Sequence, residues 1–200
     1  MSARTSLFLR LGHQSYSGDQ TDPSKTALDQ YGVVWKNTHR TIRIGSQDTY
    51  LGAYGAMFDN SSSVGEGMLR GIDIRGERGT NHYHLSSGRL DPILFDDAQS
   101  RTFFGSEWAH YFGNTRLLAS YLYIENLPKK ADVFFGFSIN APTGKGEWLT
   151  EFVQSSAPSA NQAILVGFNY QPTGKQALKL VAGQLMDNAI PEGIASLGGV

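Results

Sequence analysis

Asp132-Val-Phe-Phe-Gly-Phe-Ser-Ile-Asn140, inside the stretch 131–186, decides how the chain is read. Val133, Phe135, Phe137 and Ile139 fall on one side, and Phe134, Gly136, Ser138 and Asn140 on the other. Successive side chains of a strand point to opposite faces, so this run has one apolar face and one of mostly small or polar groups. Ile164, Val166, Phe168 and Tyr170 repeat the pattern against Leu165, Gly167, Asn169 and Gln171. Each run enters the same turn, Pro142-Thr-Gly-Lys145 and Pro172-Thr-Gly-Lys175. A hairpin unit of 30 residues therefore recurs, Pro142 to Pro172.

Working outward, alternating runs predict strands at Ser6–Tyr16, Leu28–Lys36, Thr41–Gln47, Met68–Gly76, His82–Ser87 (weak and polar), Arg101–Tyr111 and Arg116–Ile124. Tight turns fall near Asn37, Arg78, Asn114, Gly144 and Gly174, and long loops near Asp22, Asn60, Phe95, Pro128 and Pro158. Roughly eleven strands of about ten residues result, with no amphipathic helix. Successive hairpins put the short turns on one rim and the long loops on the other. Strands of that length with that asymmetry predict an all-β, antiparallel, up-and-down transmembrane barrel formed by residues 1–200 as a single domain. Trp35, Phe112 and Tyr170 fall where an interfacial girdle would lie.

Composition narrows the alternatives. Charged residues make up 18% of the 200, the formal net charge is -1, and basic residues are dispersed, which gives no electrostatic case for nucleic acid. There is no cysteine, hence no disulfide, thiolate metal site or cysteine nucleophile. No apolar run reaches the roughly 18 residues of a membrane helix. Met1–Arg10 lacks a signal-peptide pattern because Arg10 interrupts a short apolar stretch. An exported barrel therefore implies sequence upstream of Met1.

Charged residues on the polar faces are Arg43, Asp73, Arg75, Glu107, Glu151 and Lys179, the candidate pore-lining set. Arg116 lies in a strand with apolar residues on both faces, so alternation does not place it. Asp48–Gly67, with Tyr50, Leu51, Tyr54, Met57 and Phe58, reads as a folded loop that narrows a lumen from inside. His82 and His84 share a face and form a possible metal pair, with Glu77 and Asp91 only flanking. Asp91, Asp96 and Asp97 match no calcium loop, so the expectation is no metal and no cofactor. Ile139 and Gly146 break the phosphate-loop pattern around Lys145, and Asn169 and Gln176 break it around Lys175, which leaves both as turns. No Gly-x-Ser-x-Gly elbow occurs, and a Glu107/Glu151 acid–base pair is a weaker reading than two wall residues. The expectation is a non-enzyme.

Arg43-Ile-Gly-Ser-Gln47, Tyr50-Leu-Gly-Ala-Tyr54 and Gly71-Ile-Asp-Ile74 resemble the recurring glycine and acidic positions of large bacterial porins. Trp108-Ala-His-Tyr-Phe-Gly-Asn114 resembles a strand end of the same proteins, in particular the porins joined to S-layer-homology domains. The resemblance covers Leu28 to Met186. It implies an outer-membrane channel for passive diffusion of small hydrophilic solutes, with the lipid bilayer as partner and a trimeric homo-oligomer as assembly. A full member would add a signal peptide, a peptidoglycan-binding domain and an aromatic-ended last strand, and an odd strand count implies a fragment of a larger barrel. The alternative is a soluble all-β carbohydrate-binding module, whose Trp and Tyr would stack on sugars.

Overall fold

The computed structural model describes residues 3–14, 25–52, 58–59, 69–90, 101–126, 130–155, 162–173 and 176–185. Thirteen strands form: β1 (Arg4–Gln14), β2 (Lys25–Lys36), β3 (Arg40–Gln47), β4 (Tyr50–Leu51), β5 (Phe58–Asp59), β6 (Leu69–Arg78), β7 (Asn81–Leu90), β8 (Arg101–Phe112), β9 (Thr115–Asn126), β10 (Lys130–Thr143), β11 (Gly146–Ser155), β12 (Gln162–Thr173) and β13 (Gln176–Leu185). Eleven of them make one sheet in the order β1-β2-β3-β6-β7-β8-β9-β10-β11-β12-β13, and β4 pairs with β5 in a separate ribbon. Every pairing in the large sheet is antiparallel. The up-and-down all-β reading is therefore observed. Among the described residues the sheet is open: β1 and β13 are its ends and do not pair with each other.

Two expectations about connections need correction. The chain near Pro128 is not a long loop, because β9 ends at Asn126 and β10 begins at Lys130. The weak strand at His82–Ser87 runs instead from Asn81 to Leu90, so the following loop starts later than Gly88. Its polar residues have little strand preference of their own, but complete ladders to β6 and β8 hold them extended. The tight turns near Asn37, Arg78, Asn114 and Gly144 are as expected, and the one near Gly174 lies outside the described residues. Gly79, Gly113 and Gly144 each open a two-residue hairpin with φ of 57° to 60°, a conformation that costs glycine nothing. At the β2–β3 turn Asn37 Oδ1 accepts from the His39 and Arg40 amides instead.

The two faces differ as the alternation required. Leu7, Leu9, Trp108, Phe112, Phe135, Phe137, Ile164 and Val166 stand on one face and are exposed, from 40% at Val166 to 80% at Leu7. The opposite face carries Asp73, His84, Ser86, Ser120, Ser138 and Glu151, all buried. A single flat sheet leaves both faces open. Burial on this face therefore means that the sheet curls and that something covers it. The curl passes a row of register-aligned glycines, Gly32, Gly45, Gly71 and Gly88, across β2, β3, β6 and β7. There a Cβ on Gly45 would lie 2.0 Å from the Tyr31 carbonyl oxygen. Part of the cover is β4: Leu51 is fully buried and packs with Leu69, Leu90, Phe103, Leu122, Ile124, Phe134 and Val153.

Candidate functional site

The inner face is layered along the strands. Leu69 opens β6, Leu90 closes β7, Phe103 lies near the start of β8 and Ile124 near the end of β9, so the apolar cluster sits at the long-loop end. The sequence reading expected a mostly small or polar inner face, except in the strand Arg116–Ile124, where both faces carry apolar residues. Asp73, His84, Ser86 and Glu107 make the middle polar, while Ala109, Leu118 and Leu149 are buried apolar residues toward the short turns. At the long-loop end the folded-in segment supplies Leu51 as an apolar partner, which is why Phe103, Phe134 and Val153 can point inward. Gly105 makes room for it, since a Cβ there would meet Leu51 Cδ1 at 2.4 Å.

The middle layer ties that segment to the sheet. Asp73 Oδ2 accepts from Ser86 Oγ at 2.6 Å and Thr49 Oγ1 at 3.1 Å, and faces His84 Nε2 at 2.5 Å. Its other oxygen accepts from Arg75 Nε at 3.0 Å. His84 Nδ1 faces Glu107 Oε2 at 3.2 Å. Glu107 Oε1 accepts from the Gly52 amide at 2.6 Å and from Ser120 Oγ at 3.2 Å. Tyr50 lies under the Arg75 guanidinium, 4.5 Å from ring centroid to Cζ. Residues 49, 50 and 52 thus each touch a charged wall residue, and 51 fills the apolar layer. The inward-folded loop expected at Asp48–Gly67 is found in its described part, 48–52 and 58–59.

Ser86 Oγ also lies 2.8 Å from His84 Nε2, so hydroxyl, imidazole and Glu107 have the spacing of a nucleophile–base–acid relay. Sequence reading found no such pair, although Ser86 shares the two-residue period of His82 and His84. The surroundings assign it to anchoring. Ser86 is 1% exposed, its oxygen contacts Thr49 and Asp73 as well, and His84 Nε2 is shared with Asp73. With a carboxylate on each ring nitrogen, both nitrogens already have acceptors.

The candidate pore-lining residues divide. Asp73, Arg75 and Glu107 are brought together in this layer. Arg43 is the register partner of Asp73 and is exposed. Glu151 is buried on the same face, opposite Ser138 on β10. It is three strands from Glu107, about 14 Å at the usual strand spacing, too far for a direct acid–base pair. Lys179 occupies a register position opposite Asn169, and its side chain lies outside the described residues. Arg116 shares the parity of buried Leu118, Ser120 and Leu122 and faces inward. His82 lies against Tyr111 with the rings tilted and their centroids 4.9 Å apart, rather than joining His84. Among the described residues no group of three His, Asp or Glu side chains is placed to hold a metal, and Asp91, Asp96 and Asp97 lie outside them. The turn at Gly144 and Lys145 is a hairpin, while Gly174 and Lys175 lie outside the described residues.

No protein-family model matches the chain, and no curated protein matches it.

Proposed function

We propose that the chain forms a wall of an outer-membrane β-barrel channel through which small hydrophilic solutes diffuse passively, with the segment 48–52 folded inward to narrow the passage. One observation carries this reading: the face that a water-soluble sheet would hide is the open one, and the charged layer is the covered one. Contiguous apolar surface of that extent is uncommon on soluble monomers, whereas lipid covers it on every strand of a barrel. Near the short turns the open face turns aromatic: Trp148 lies 4.6 Å from Phe168, and Phe112 lies 4.3 Å from His110. Aromatic rings at that level suit the bilayer interface. No catalytic step is needed, and selection would come from the width and charge of the inner wall.

A sugar-binding module would use the same rings for stacking. It gives no role to Leu7, Leu9, Leu11, Phe135, Ile139, Ile164 or Val166, which cover the rest of that face. Planar-bilayer recording of the refolded chain tests the channel reading. Discrete conductance steps are expected, and their absence from chain that has inserted with full β content would refute it.

A further inference from the structure

Below the anchoring layer, toward the short turns, the inner face lines an open cavity of about 390 Å³. Its wall includes Lys36, Tyr50, Arg75, His82, Glu107 and Arg116. We infer that this cavity is a binding site for a small oxyanion, a free phosphate or carboxylate-bearing solute, held between Arg116, Lys36 and the outer nitrogens of Arg75. The charge balance of the wall is the first argument. Its carboxylates are already engaged: Glu107 by Gly52, His84 and Ser120, and Glu77 by His39 at 3.7 Å. Glu147, near the short-turn end of β11, accepts from the side-chain amides of Asn140 and Asn169. None of these reaches Arg116 or Lys36.

The second argument is Arg116 itself. Its Nε is shielded from solvent and has no hydrogen-bond partner in the protein. A buried donor without an acceptor costs about 1–3 kcal/mol, and a guanidinium edge presents two parallel donors that match a carboxylate or phosphate edge. Arg75 is held in place by an ion pair with Asp73 at 3.0 Å on its Nε and by the face of Tyr50. Tyr50 comes from the folded-in segment, so the loop that narrows the inner space also closes one side of this site. An oxyanion on the guanidinium edge would supply the acceptor that Arg116 Nε lacks.

The role of this site in transport rests on the channel reading, but binding does not, so the two can be separated. The full chain in a nonionic detergent free of phospholipid is titrated calorimetrically with inorganic phosphate, which leaves the free ion as the only source. Saturable binding is expected, weakened about tenfold or more by Arg116→Gln and less by Arg116→Lys, with the circular dichroism unchanged. Should Arg116→Gln fail to fold, Lys36→Gln gives the same comparison from the other side of the cavity. No saturable heat, or equal affinity in these variants, overturns the inference. In parallel, the reversal potential across a salt gradient is measured in planar bilayers. Conductance without phosphate binding overturns the site and leaves the channel. Binding without conductance upholds the site and overturns the channel.

Discussion

Glu107→Ala should release the inward-folded segment. Glu107 is the acceptor for the Gly52 amide at 2.6 Å, for Ser120 at 3.2 Å and for His84 Nδ1 at 3.2 Å, and its side chain is 8% exposed. Truncation leaves the Gly52 N–H and one imidazole nitrogen buried with no partner. Removing one member of a buried charged pair typically costs about 3–5 kcal/mol, more than the sum of ordinary net hydrogen bonds here would suggest, because unpaired groups remain. The strand ladders of β7, β8 and β9 are untouched by the change, since they are backbone bonds. The loss therefore falls on residues 49–52. Amide hydrogen exchange in detergent reads it directly: protection of Gly52 should fall by roughly two to three powers of ten while β8 and β9 amides change little. Glu107→Gln keeps an acceptor for Gly52 and should lose less. Unchanged Gly52 protection in Glu107→Ala would refute the claim that this carboxylate anchors the segment.

Four further outcomes follow from particular residues. Leu51→Ala removes a fully buried side chain from the apolar layer and should cost about 2–5 kcal/mol in denaturant unfolding. Gly105→Ala places a Cβ against Leu51 and should destabilise, but much less when Leu51→Ala is also present, so a double-mutant cycle must show coupling. Phe137→Arg, midway along β10, should cost about 2–4 kcal/mol for folding in lipid vesicles, and a loss below about 0.5 kcal/mol would mean that the side chain meets water. Gly79→Val forces a β-branched residue to φ of 60° with open space around it, so the cost of about 1–2 kcal/mol is conformational and should appear as a lowered melting temperature.

Period-two alternation made most of this fold legible. Val133 to Ile139 and Ile164 to Tyr170 assigned their own faces, and the Pro-Thr-Gly-Lys turn placed the hairpin between β10 and β11. Alternation failed where neighbours rather than local preference decide. The polar run of β7 is held extended by two ladders, and the connection at Pro128 is short because β9 and β10 extend towards each other. The inward side of β9 was ambiguous for a related reason: Leu122 and Ile124 are inner residues matched to Leu51, a partner far away in sequence. The site was half legible. Asp73, Arg75 and Glu107 stood out as charges on polar faces, and the length and aromatics of Asp48–Gly67 marked it as folded inward. Thr49 and Gly52 were not, because a hydroxyl and a backbone amide carry no charge signal and meet their partners only when the segment folds back.

The central claim is that the open apolar face meets lipid. The three tryptophans test it, since Trp35, Trp108 and Trp148 all belong to that face. Trp35 lies one residue from the short-turn end of β2, Trp148 two residues from the start of β11, and Trp108 four residues from the end of β8. Fluorescence of the chain refolded into vesicles would be recorded with lipids brominated at shallow and at deep acyl positions. The account predicts blue-shifted emission quenched by both lipids, with single-tryptophan variants ranking Trp108 deepest. A folded chain whose emission in vesicles equals that in buffer, unquenched by either lipid, would contradict it.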